Sequence, residues 1–120
     1  MAGNPIDEAV LDQLRLLQKE GKPNFPAMII GLFLDTTRSV LKELETAAQF
    51  GDVSALGMAS HKLISASAIV GASTLSARCR ELEIITRTGS VPDAAERVQT
   101  IVEEYERAEA ALKSWSAARS

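Results

Sequence analysis

Residues 52–72 read DVSALGMASHKLISASAIVGA, and their periodicity is that of a half-buried helix. Advanced at about 100° per residue, Leu56, Ser60, Leu63, Ser67 and Val70 gather on one side of a helix, flanked by Ala59 and Ala66. That side is a buried seam. Period-two alternation is absent, so the stretch is a helix and not a strand. His61 falls roughly 140° from Leu56 and is expected to face outward. Around it stand Gly57, Ile64, Ser65 and Ala68, with Ser54 one turn further out. A solvated helix face normally carries Lys, Glu, Arg or Gln; between Asp52 and Gly71 the only other charged side chain is Lys62. Gly57 in a helix interior also costs about 1 kcal/mol relative to alanine. Two explanations account for this surface: close approach of a neighbouring helix, or a flat docking face on which a partner reaches the imidazole.

Working outward, turn signals divide the rest of the chain into helices. Asn4-Pro5 predicts an N-cap with proline in the first turn, opening a helix to about Lys19 with Leu11, Leu14 and Leu17 or Gln18 inward. Gly21, Pro23 and Pro26 interrupt it, with Asn24 as a possible cap. A long helix to about Phe50 then turns Met28, Leu32, Phe33, Val40, Leu41 and Leu44 toward the core. Gly51 ends that helix and Asp52 caps the next, for which Gly71 is the C-terminal signal. A further helix covers roughly residues 73–88, with Leu75, Cys79, Leu82 and Ile85 or Thr86 inward. After Gly89-Ser90-Val91-Pro92 the last helix starts near Asp93, carrying Val98, Ile101, Val102, Tyr105, Ala108 and Leu112 at helical spacing. Short connections and helical periods throughout predict an all-α fold. It is an up-and-down antiparallel four-helix bundle, with an additional short N-terminal helix covering one end, and residues 1–120 form a single domain.

Composition narrows the function classes. The net charge of −3, with interspersed signs, leaves no basic stripe for a phosphate backbone, so no nucleic-acid partner is expected. The longest strongly apolar run, Ala27 to Leu34, is far short of the ~20 residues that span a bilayer, so no membrane insertion is expected. With no secretion-type N-terminus, the expected location is cytoplasmic. The one cysteine, Cys79, cannot form an internal disulfide and reads as a small buried side chain rather than a reactive thiol. A single histidine cannot build a metal site or a hydrolytic triad. It can carry a phosphoryl group, since its ordinary pKa leaves a nucleophilic ring nitrogen near neutral pH.

The stretch from His61 to Ala72 resembles the signature of histidine phosphotransfer (HPt) domains, roughly H-x-L-K-G-[SA]-[SA]-x-x-hydrophobic-G-A. His61, Leu63, Ala66, Ser67, Val70, Gly71 and Ala72 match it. Leu75, Cys79 and the Leu82-Glu83 pair fall at family positions downstream, and Phe33-Leu34 and Asp52 do so upstream. The likeness spans about residues 10–112. Two positions depart from the pattern: Ile64 stands where the family usually has lysine, and Ser65 where it usually has glycine.

The resemblance implies a phosphoryl carrier rather than an ATP-dependent kinase, and the chain has no G-x-x-x-x-G-K-[ST] loop. His61 is then the phosphorylation site, accepting from and donating to aspartates of response-regulator receiver domains, including the receiver of a hybrid histidine kinase. No cofactor is expected in this chain, and Mg²⁺ is expected on the receiver. Gly57, Lys62, Ile64, Ser65 and Ala68 are the expected docking residues, with part of the preceding long helix. The alternative is a degenerate HPt-like bundle acting as a non-phosphorylated interaction module, and a third reading is an unrelated helical bundle.

Overall fold

The computed structural model describes residues 4–118, so the outer ends of the expected 1–120 domain lie outside the described residues. These form five helices and no strand: α1 (Glu8–Leu16), α2 (Phe25–Phe50), α3 (Val53–Ile69), α4 (Ser73–Thr86) and α5 (Ala94–Ala118). The last four make the antiparallel bundle, each packing on its sequence neighbour and α5 closing against α2. The interior is lined by residues at helical spacing, including Leu44, Leu56, Leu63, Leu75, Leu82, Ile101 and Leu112. Across the closing pair, the Phe33 and Tyr105 rings meet at 6.2 Å, and the Tyr105 hydroxyl donates to the Leu34 carbonyl.

Caps set the helix limits. The Asn24 side chain accepts from the Ala27 amide and the Asp52 side chain from the Ala55 amide, satisfying donors that have no intrahelical partner. Gly51 turns the chain at φ 65°. Gly71 follows α3 at φ 75°, and its carbonyl accepts from the Asp7 amide at 2.6 Å. That bond fastens the start of α1 to the α3–α4 turn. Ile6 is buried beside it, so α1 covers the end of the bundle where α2 begins and α5 ends.

The structure corrects the sequence expectation at three places. The cap of α1 is Asp7, accepting from the Ala9 amide, and not Asn4, whose side chain accepts from the Ile6 amide in a local turn. The helix also stops at Leu16 rather than Lys19. The Gln18 amide donates to the carbonyls of Lys19, Lys22 and Pro23, and its oxygen accepts from the Phe25 amide. One side chain thus organises the connection as a loop, and Leu17 is left exposed. On α2, Met28 and Leu32 are 59% and 65% exposed instead of inward. The buried row is Ile30, Phe33, Leu34, Thr37, Val40, Leu41, Leu44 and Ala47. Both rows have helical spacing, and the row that packs is the one facing α3 and α5.

Candidate functional site on the outer face of the α3–α4 pair

Midway along α3, His61 stands on the outside of the bundle with its side chain 73% exposed. All five seam residues, Leu56, Ser60, Leu63, Ser67 and Val70, are fully buried, which holds the opposite side of the helix in solvent. The imidazole is engaged on one side. Its Nδ1 lies 2.5 Å from Oε2 of Glu83 on α4, a carboxylate only 18% exposed. The other Glu83 oxygen, Oε1, lies 3.6 Å from Nη2 of Arg87, the C-cap of α4 one turn further on. A carboxylate beside Nδ1 favours the tautomer that carries the proton there, which leaves Nε2 as the ring nitrogen with an available lone pair.

The expected docking residues divide. Ser65 and Ala68 are exposed on the same side as His61. Lys62 is also exposed, and its Nζ donates to Glu43 Oε1 on α2 at 3.0 Å, so this cation is turned toward α2. Ile64 is corrected: it is 9% exposed and belongs to the core, with the Ser76 hydroxyl of α4 donating to its carbonyl at 2.8 Å. Gly57 is half-buried, and a Cβ built on it would lie 2.7 Å from Thr86 Oγ1 of α4. Close helix approach therefore accounts for the missing side chain at Gly57. On the wheel Ile64 and Gly57 fall at about 80–100° from Leu56, the flank that α4 covers, whereas His61, Ala68 and Ser65 fall at about 120–180°.

Between α3 and α4 an open groove of about 500 Å³ runs beside the imidazole, with Gly57, Met58, Thr86 and Arg87 in its walls. A larger open cavity, about 690 Å³, lies at the α1-covered end and contains none of these residues. Among the described residues no group of three or more His, Cys, Asp or Glu side chains is placed to hold a metal ion. None of the described helices is long and apolar enough to cross a membrane. In the sequence Glu83 stands out only as a position in the family pattern, and Arg87 carries no signal. The meeting of Glu83 with His61 is a product of helix pairing across 22 residues of sequence, and Arg87 joins it through Glu83. The available signal was that Glu83 directly follows the inward Leu82, at the edge of the buried row.

A family model described as the Hpt domain matches residues 28–111. Among solved structures, the fold is similar to that of histidine-containing phosphotransfer protein B (HptB) from Pseudomonas aeruginosa PAO1. The TM-score is 0.83 at 24% identity, covering 94% of this chain and 95% of that one. It is also similar to the histidine-containing phosphotransfer protein ZmHP2 from maize, with TM-score 0.82 and 21% identity over 97% and 90% of the two chains. A third likeness is to the HPT domain of an Hpt sensor hybrid histidine kinase from Shewanella, with TM-score 0.69 and 24% identity over 88% and 91%. No curated protein matches the chain.

Proposed function

The chain belongs to the Hpt domain family, and from that premise we propose that it is a phosphorelay intermediate whose phosphoryl carrier is His61. The observation that carries this reading is the exposed imidazole with Nδ1 held by Glu83. In the forward step the Nε2 lone pair attacks the phosphorus of an aspartyl phosphate on a receiver domain. The Nε2–P bond forms as the P–O bond breaks, and the aspartate carboxylate leaves with the electron pair. The Nδ1 proton stays in place, and the positive charge that develops on the ring is balanced by Glu83. The reverse step returns the phosphoryl group to a receiver aspartate. Mg²⁺ and the acidic cluster that neutralise the transferred group belong, in this reading, to the receiver.

His61, Ser65 and Ala68 form the centre of the docking face, extended by the exposed Ile69 on α3 and by Met28 and Leu32 on α2. Small side chains beside His61 let a partner's active site close over the imidazole. Lys62, paired with Glu43, stands at the rim. Arg87 supplies a cation within the groove that holds His61, the kind of charge the family usually draws from the position of Ile64. The interaction-only reading drew on the cation that Ile64 does not supply; Ile64 is buried, and Arg87 is the cation in the groove beside His61. A carrier without ATP-dependent kinase activity, working in the cytoplasm, completes the proposal.

Incubation with phosphorylated receiver domains tests it. Acid-labile, base-stable phosphate is expected on the wild type and none on His61→Gln. Binding to cognate receivers without transfer would favour the interaction module, and transfer surviving in His61→Gln would refute the site.

A further inference from the structure

Two glycines occupy helix interiors at negative φ, and they differ in one respect. A Cβ on Gly31 would meet nothing within 4 Å, whereas one on Gly57 would lie 2.7 Å from Thr86 Oγ1 and 3.4 Å from Thr86 Cβ. Glycine weakens a helix interior, and at Gly57 no backbone conformation requires it. What requires it is the seating of Thr86. Threonine is β-branched with few rotamers open to it, and its Cβ itself stands 3.4 Å from the added methyl, so it has less room to give than the end of a long side chain. The Thr86 hydroxyl, moreover, donates to the backbone carbonyl of Glu83 at 2.6 Å. Gly57 lies one turn before His61 on α3, and Thr86 lies one turn after Glu83 on α4. In this antiparallel pair they form the rung next to the His61–Glu83 contact. On the other side of His61, the Ser76 hydroxyl reaches the Ile64 carbonyl at 2.8 Å. The carboxylate thus projects from a segment of α4 held close to α3 above and below it.

We propose that Gly57 is a positioning residue for His61. Its missing side chain lets Thr86 seat against α3, and this sets the helix separation at which Glu83 reaches Nδ1 and holds the imidazole in the Nδ1–H tautomer. Its importance for transfer rests on the function proposed above; its effect on the ring does not. Addition of one methyl group at Gly57 displaces the last turn of α4 and loosens the Glu83 contact, although alanine itself favours the helix.

The experiment is ¹⁵N NMR of the His61 ring nitrogens in the wild type, Gly57→Ala and Gly57→Ala/Thr86→Ala, alongside transfer from a phosphorylated receiver and receiver affinity. Gly57→Ala is expected to raise the Nε2–H population and slow transfer about tenfold at unchanged receiver affinity, as loss of alignment rather than of binding. Removing the Thr86 side chain beyond Cβ in the double variant is expected to restore most of both. Native ring shifts in a folded Gly57→Ala would overturn the proposal, as would an effect that Thr86→Ala does not relieve. Weakened receiver binding with the tautomer unchanged would make Gly57 a docking residue instead. Should Gly57→Ala fold poorly, native shifts in the double variant support the proposal and displaced ones refute it. A wild type that accepts no phosphate sinks the proposed function, while the ring shifts still decide the role of Gly57.

Discussion

Glu83 holds the imidazole of the lone histidine by Nδ1, and in the proposed relay this leaves Nε2 as the nucleophile. A hydrogen bond to a charged group contributes about 1.5–3 kcal/mol, so Glu83→Ala is expected to slow phosphoryl transfer by about 10- to 100-fold. Glu83→Gln retains an oxygen that accepts from Nδ1–H and loses the charge, and it should fall between the wild type and the alanine variant. Transfer rates of the three proteins against one phosphorylated receiver check the order. Cys79 supplies a contrasting case. It is fully buried, and burial pushes its thiol up to about 12. The flanking Arg78 and Arg80 therefore do not activate it. Native protein is expected to label slowly with a thiol reagent at pH 8, and denatured protein at once. His61 was legible from its sequence because one helix wheel sufficed to turn it outward. The same wheel places Ile64 on the outer side and the structure buries it, since a wheel says which side of a helix is apolar but not how far a neighbouring helix wraps around it.

Among the elements, turns and caps hold the face that carries His61 in place. Gly71 has a second reason to be glycine besides its φ of 75°: a Cβ there would stand 2.5 Å from the Asp7 carbonyl oxygen. Gly71→Ala is expected to cost about 2 kcal/mol or more, from left-handed strain of roughly 1–2 kcal/mol plus the displaced contact with α1. Urea denaturation measures the loss. Asp52, Asn24, Gly51 and Gly71 announced the ends of α2 and α3 in the sequence because each acts within a few residues of itself. The limits of α1 were not legible. Asp7 is tied to Gly71 and Gln18 to the Phe25 amide, so tertiary contacts and a long-reaching side chain override the local signals of Asn4-Pro5.

For the molecule as a whole, α5 closes the bundle onto α2 through Tyr105 and through Arg38, whose Nη2 donates to Glu109 Oε2 at 2.5 Å. That hydrogen bond, with Lys113 adding a nearby positive charge, holds the Glu109 carboxyl below the usual carboxylate range against the opposing effect of partial burial. A depressed native pKa means the unfolded chain binds the proton first as pH falls. The contribution of Glu109 is therefore fully present above the ordinary carboxylate range and lost as pH drops through its lower native value. Stability of Glu109→Gln, followed by denaturant unfolding from pH 7 down to pH 3, should decline less steeply than that of the wild type. Equal slopes would show that Glu109 titrates alike in the folded and unfolded chains.

The helical class, the buried seam of α3 and the outward His61 were all written in the order of the residues. Each of these follows from periodicity and caps, which act within a few turns of chain. The meeting of Glu83 with the imidazole, the pairing of Arg87 with Glu83, the covering of Ile64 and the room Gly57 makes for Thr86 came from helix packing. Those facts depend on the separation and rotation of α4 against α3, set by side-chain packing between segments distant in sequence.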